Sequence, residues 1–167
     1  MPEWTDRATA VVQEIDRRHG QNLLGLARRS GISAEAAEDA VQEALLRLWL
    51  EVRAGVEVLD PRGWVFRTLY RLVMDEHRLR RRVADLRARL VARPARVVDP
   101  DIAQRLSIWA LVDDLPTRQR QVLYLRYKSD MAYDEIGRVM GITASAARAH
   151  ATLATMRLRD STGWADE

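Results

Sequence analysis

Apolar residues recur at spacings of three and four through most of the chain, the period of helices rather than of strands. Met1–Arg18 is polar and weakly helical, with Val11, Val12 and Ile15 on one side. Gln21–Ser30 carries Leu23, Leu24, Leu26 and Ala27 and stops at Gly31. Ser33 fits a helix N-cap, followed by Glu35, Glu38 and Asp39 near the positive end of the next helix. That helix runs to about Val52. Val41, Leu45 and Leu48 form its apolar stripe, and Glu35, Glu38, Asp39 and Gln42 form a polar one on another face. Arg53–Gly63 (RAGVEVLDPRG) holds two Gly and one Pro and is expected to be a loop. From Trp64 to about Arg82 the pattern is helical again, with Val65, Leu69, Leu72 and Val73 nearest the core and a weak extension toward Ala92. Pro94 and Pro100 break it and mark a domain boundary.

The second half repeats the helical period in shorter pieces. Asp101–Asp113 sets Ile102, Leu106, Trp109 and Val112 in register. Pro116 suits the first turn of a helix whose buried side is read as Val122, Leu123, Leu125 and Tyr127. Met131–Met140 is a short helix with Ile136 and Val139 inward. Gly141 permits a turn, Ile142 plugs it, and Thr143 caps a last helix over about Ala144–Asp160. Two short helices meeting at a glycine are the layout of a helix-turn-helix, whose second helix lies in a DNA major groove. An ordinary helical hairpin has the same outline. The outward residues of the last helix are Ala144, Ser145, Arg148, Ala149 and Thr152, with Arg157 and Arg159 further on.

Composition agrees with an all-α fold of two small helical domains. Only eight Gly, five Pro and one Phe occur in 167 residues, and 47% of residues are hydrophobic. The absence of Cys excludes disulfides, thiolate zinc sites and a cysteine nucleophile, and His19, His77 and His150 have no metal-ligand spacing. No metal or cofactor is expected, and no catalytic residue. No apolar run approaches the ~18 residues of a membrane span, and MPEWTDRA does not resemble a signal peptide, so a cytoplasmic chain is expected.

Charge adds more. The net charge is only +3, yet eight Arg against the single acid Asp85 fall between Arg78 and Arg96, and Lys128 is the only Lys. Guanidinium groups pair bidentately with phosphate, so an Arg cluster suits nucleic acid, although a charge run is also what a solvated helix face looks like. Trp64, Phe66 and Tyr70 stand among Arg67, Arg71, Arg78 and Arg80–Arg82. Aromatics among cations suit stacking on single-stranded bases, and equally suit core packing.

Three stretches, in order, resemble the extracytoplasmic-function (ECF) group of bacterial sigma factors. Ala37–Trp49, AEDAVQEALLRLW, is similar to a usual AEDLVQETFLRAW of the second conserved region. Trp64–Arg82, WVFRTLYRLVMDEHRLRRR, is similar to the rest of that region, usually near WLYRIARNLALDHLRRR. LPTRQRQVLYLRY and YDEIGRVMGIT, within Leu115–Thr143, resemble LPERQREVLLLRY and YEEIAEILGIS of the fourth region. The resemblance covers roughly residues 20–160.

The resemblance implies a second-region domain over 1–93, a linker over 94–104 and a fourth-region helix-turn-helix domain over 105–160. Glu38, Asp39, Gln42, Glu43, Leu46 and Trp49 would dock on the β′ clamp of core RNA polymerase, and the first helices of the C-terminal domain on the β flap. Arg53, Asp60, Arg62, Trp64, Arg67, Arg71, His77, Arg78 and Arg81 would take the melted minus-ten strand, with a base extruded into a pocket. Arg126, Thr143, Ser145, Arg148, Ala149 and Thr152 would read the duplex minus-thirty-five element. An anti-sigma protein would cover the polymerase-binding faces. Two departures stand out. TASAARAHATLATMRL is less basic than a usual SVGTVKSRLHRARERL, with Ala147 and Ala151 in place of larger core residues, and Arg71 stands where Asn is usual. Two alternatives remain open from the residues alone, a stand-alone helix-turn-helix regulator and a sigma-like interaction protein that does not read promoters.

Overall fold

The computed structural model describes residues 2–90 and 108–162, all of whose regular structure is helical. Three long helices build the N-terminal module: α1 (Pro2–Arg28), α2 (Ala34–Arg53) and α3 (Pro61–Leu90). Four shorter ones build the C-terminal module: α4 (Ile108–Asp113), α5 (Thr117–Tyr127), α6 (Tyr133–Met140) and α7 (Ala144–Thr162). The expected helical residues 101–107, the linker and the last positions of the α3 extension lie outside the described residues.

α1 is one unbroken helix, where the sequence suggested two segments. Gly20 within it costs about 1 kcal/mol relative to Ala. Ala8, Ile15, Leu23, Leu26 and Ala27 are all buried along the same helix. At roughly 1.5–3 kcal/mol for each large aliphatic side chain, that burial outweighs one glycine. Glu14 pairs with both Arg17 and Arg18 in the turn just before the expected break. Gly31, at φ 78°, turns the chain, and the Ser33 hydroxyl accepts the Ala36 N–H at 3.2 Å to start α2.

α3 begins at Pro61, so the loop before it is three residues shorter than the sequence suggested. The missed signal was a cap: Asp60 Oδ1 accepts the Gly63 N–H at 2.9 Å, and proline suits the first helical position. A Cβ on Gly63 would fall 2.1 Å from Asp60 Oδ2, so this cap needs glycine. Val65, Phe66, Leu69, Tyr70 and Val73 of α3 are buried.

In the C-terminal module α6 starts at Tyr133, two residues later than expected, with the Ala132 N–H donating to Glu135 Oε2 at 2.8 Å. Gly141 takes the left-handed conformation (φ 67°), and the Thr143 hydroxyl accepts the Ala146 N–H at 3.0 Å to cap α7, as the sequence suggested. Tyr127 departs from expectation: it is 64% exposed rather than buried. The consecutive residues Gln121, Val122, Leu123, Tyr124 and Leu125 are buried instead. α5 is covered on opposite sides, by α6 and α7 of its own module and by α1 of the other, so its pattern carries no single apolar stripe. One hydrophobic core therefore runs through both modules.

Candidate functional site

Three faces carry the residues singled out from the sequence. The first is the outer face of α2. Glu38, Asp39, Gln42 and Leu46 are exposed there, and Glu43 and Trp49 are half-buried. Glu38 pairs with Arg28 at 3.2 Å and Glu43 with Arg47 at 2.7 Å. The Trp49 indole N–H donates to the Thr9 hydroxyl at 3.2 Å, and the Arg53 guanidinium lies 5.0 Å over its ring. Leu46 and Leu50 are about half exposed, one turn apart. This face thus sets an exposed apolar pair beside acidic and amide side chains.

The second face runs along α3. Arg67, Arg71 and Arg78 fall at spacings of four and seven, on one side of the helix. Asp75 pairs with Arg78 at 2.8 Å, but among the described residues neither Arg67 nor Arg71 has an acid within ion-pair distance. Trp64 is half-buried in a cleft of about 290 Å³ shared with Arg47, Leu50, Thr68 and Arg71. Phe66 and Tyr70 are core residues, which settles their ambiguity in favour of packing. Arg53 stacks on Trp49, and Asp60 is held as the α3 cap. Arg81 is exposed. His77 packs against Gly31, and burial, reinforced by Arg81, Arg120 and Arg78, lowers its pKa from the usual histidine value. Arg62 turns away from solvent, donating to the Ser129 carbonyl and lying 3.5 Å from Glu135.

The third face is α7. Ala147, Ala151 and Ala154 are its buried positions, so its backbone sits close to α5 and α6. Ser145, Arg148, Ala149 and Thr152 are exposed, and Thr143 is occupied as the cap. Arg126 is half-buried, donating to the Met131 carbonyl at 3.0 Å. The Arg126 and Arg148 guanidiniums lie 5.2 and 5.1 Å from the centre of the same ring, that of Tyr133. A helix so thinly padded, with its polar residues outward and a left-handed glycine before it, has the shape of a major-groove reader.

Family models for sigma-70 region 2 and sigma-70 region 4 match residues 15–83 and 111–160, in that order. The chain belongs to the sigma-70 family, in its ECF group. It is 27% identical over 96% of its length to the ECF RNA polymerase sigma factor SigE of Mycolicibacterium smegmatis, covering 62% of that protein. It is 31% identical over 87% of its length to a probable ECF RNA polymerase sigma factor, SigI, of Mycobacterium tuberculosis, covering 53% of it. The chain thus spans between about half and three fifths of the length of these relatives. Its fold matches the sigma factor RpoE from Bartonella quintana, solved in complex with the anti-sigma factor NepR. There the TM-score is 0.66 at 19% identity, over 96% of each chain.

Within this sigma-70 family chain, sequence reasoning passed over four residues that shape the faces. Tyr133 gathers two arginines. Gly137 lets the turn lie against α6, since a Cβ there would be 2.7 Å from the Ile142 carbonyl oxygen. Gly25 and Tyr124 meet between the modules, where a Cβ on Gly25 would sit 1.9 Å from the Tyr124 hydroxyl. Gly137 and Gly25 each interrupt a helical pattern, and that interruption was the available signal.

Proposed function

We propose that the chain is a promoter-specificity subunit that binds core RNA polymerase, reads promoter DNA and opens the start of the bubble, without catalysis of its own. The second-region module would comprise residues 1–93, the linker 94–104 and the fourth-region module 105–160. The observation that carries this reading is the separation of three differently built faces in family order. They are the apolar and acidic face of α2, the arginine face of α3, and the exposed Ser145–Arg148–Ala149–Thr152 set of α7.

In this reading Glu38, Asp39, Gln42, Glu43, Leu46 and Trp49 dock on the β′ clamp, and the C-terminal module meets the β flap. Arg53, Arg62, Trp64, Arg67, Arg71, His77, Arg78 and Arg81 hold the minus-ten strand, while Asp60 shapes the loop end that meets it. Arg126, Thr143, Ser145, Arg148, Ala149 and Thr152 address the minus-thirty-five duplex. The arginines supply salt-sensitive affinity through phosphates, and sequence choice comes from the loop before α3 and from α7. The RpoE–NepR complex supports an anti-sigma protein as regulator here too. Among the described residues no helix is long and apolar enough to cross a membrane. A cytoplasmic location follows from work on polymerase.

Run-off transcription with core polymerase on a genomic promoter library tests this reading. Initiation at a defined subset of promoters is expected. Failure to initiate at any of them sinks it and leaves the stand-alone regulator or the non-reading interaction protein.

A further inference from the structure

From its start through Met156, α7 exposes Ser145, Arg148, Ala149, Thr152, Leu153 and Met156. Ser145, Ala149, Thr152 and Met156 follow at spacings of four, three and four, so they form one line along the helix. Arg148 stands to one side of that line and Leu153 to the other. The line carries no charge, and no Asp, Glu, Asn or Gln belongs to the exposed set. Leu153 and Met156 are each about half exposed, so its far end is apolar surface.

Two side chains on the line present methyl groups outward. Ala149 has nothing else to present. The Thr152 hydroxyl donates back to the Arg148 carbonyl at 3.1 Å, which leaves the γ-methyl as its outer group. Arg148 lies against the Tyr133 ring, 5.1 Å from its centre. The face is therefore methyl and thioether along its middle, with its one cation at the edge.

Base pairs differ in what their major-groove edges require. Guanine offers two acceptors suited to Arg or Lys, adenine pairs with Asn or Gln, and the cytosine amine with Asp or Glu. Thymine carries a 5-methyl group, which is met by Ala or by the Thr methyl. The line on α7 lacks the first three kinds of partner and supplies the fourth twice, while the Ser145 hydroxyl suits either polar edge.

We propose that α7 selects its promoter element by packing Ala149 and Thr152 against thymine 5-methyl groups, so that the base pairs beneath this line are A·T. This rests on the proposed function, which makes α7 the duplex-reading helix. At about 1.5 Å of rise per residue the two methyls stand roughly 4.5 Å apart along the axis. The rise of one base pair is about 3.4 Å, so they reach neighbouring pairs. A protein partner would also cover Leu153 and Met156. Protein docking, however, anchors on large side chains, and here the early half of the helix, where base edges are met, holds the small methyl-bearing ones.

The test uses holoenzyme and a promoter found by run-off transcription, its upstream element randomised over about one helical turn of DNA. Sequencing the transcribed templates should show A·T pairs enriched at two or more neighbouring positions. Each enriched thymine is then replaced by deoxyuridine, which deletes the methyl and keeps the pairing. Run-off should fall about fourfold at a thymine under Ala149 or Thr152, the equivalent of about 0.8 kcal/mol per methyl buried. A thymine in the spacer should show no such loss. In Thr152→Ser, which keeps the hydroxyl and deletes the methyl, one sensitive thymine should become indifferent to the replacement, a coupling that partial unfolding does not produce. Ala149→Gly should do the same at a neighbouring thymine, with a melting curve to check the helix. No loss at any enriched thymine overturns the proposal, and so does enrichment of G·C pairs or of none. If Leu153→Ser with Met156→Ser lowers recovery of core polymerase while thymine methyls are ignored, the face docks protein and the proposal falls. Initiation by the parent at no promoter overturns the sigma assignment, whereas initiation that ignores thymine methyls overturns this inference alone.

Discussion

Replacing Tyr133 by Leu removes the ring on which Arg148, the proposed duplex-reading side chain, rests. Arg148 is the one arginine in the first two turns of α7, so under the proposed function the duplex contacts of this module would depend on it more than in a basic recognition helix. Its guanidinium lies 5.1 Å from the Tyr133 ring centre, and Arg148 is exposed, which places the cation–π interaction at its weak end, about 0.5–1 kcal/mol. That energy corresponds to roughly a two- to fivefold population of the aimed geometry over others at RT near 0.59 kcal/mol. Loss of Arg148 itself removes a base or phosphate contact of about 1–3 kcal/mol, roughly 5- to 150-fold. The assay is run-off transcription by reconstituted holoenzyme on one promoter with and without its upstream element, read as a ratio. Arg148→Ala should collapse the ratio, Tyr133→Leu should lower it about two- to fivefold, and Tyr133→Phe, which keeps the ring, should hold it within twofold. Melting curves check that the leucine variant folds. Repeating the binding across salt assigns the contact: a phosphate partner lowers the salt slope by about 0.9 on loss of Arg148, a base-edge partner leaves it. If Tyr133→Leu keeps the full ratio while Arg148→Ala loses it, the ring has no aiming role.

Other perturbations follow from the same geometry. Asp39→Ala with Gln42→Ala removes exposed groups of α2 and should cut core-polymerase recovery in a pull-down with the melting temperature unchanged; full recovery contradicts the docking assignment. Gly137→Val places side-chain atoms against the Ile142 carbonyl, where a Cβ alone is at 2.7 Å, and should destabilise the C-terminal module by about 1–3 kcal/mol in chemical denaturation. Unaltered stability there would mean that the turn is not in close contact. His19 and His77 have pKa values lowered chiefly by burial, so folding disfavours their charged forms. Their contribution to stability is present above the unfolded histidine value near 6.5 and is lost as pH falls below it. A denaturation series from pH 7.5 to 5.5 should therefore lose stability less steeply in His19→Gln/His77→Gln than in the parent, and equal slopes would refute the assignment.

Helices α2 and α3 were legible because each buries one face. Val41, Leu45 and Leu48 are inward in α2 and Val65, Leu69 and Val73 in α3, so spacing alone placed Asp39, Gln42, Arg67 and Arg71 outward. The helix-turn-helix was legible from Gly141 and Thr143, since a left-handed turn and a cap are local events. Where a local competitor was overruled, the sequence reading failed. Gly20 suggested a break in α1 that tertiary burial removed, and Asp60–Pro61 began α3 before its apolar stripe did.

By itself, then, the sequence determined that the chain is helical, in two modules, with its charged faces on known sides of known helices and an order of motifs that marks a sigma-70 family member. Only the tertiary structure decided what those faces meet. α5 is buried along Gln121–Leu125 because two modules cover it, so no single stripe announced which side Tyr127 or Tyr124 would take. Arg29 with Trp109, Gln121 with Ser30, and Arg62 with Ser129 join residues some 67 to 91 positions apart wherever a hydrogen bond links them. Helical periodicity reports only which face of a helix is covered. The identity of the cover is a contact between distant segments, and no local spacing encodes it.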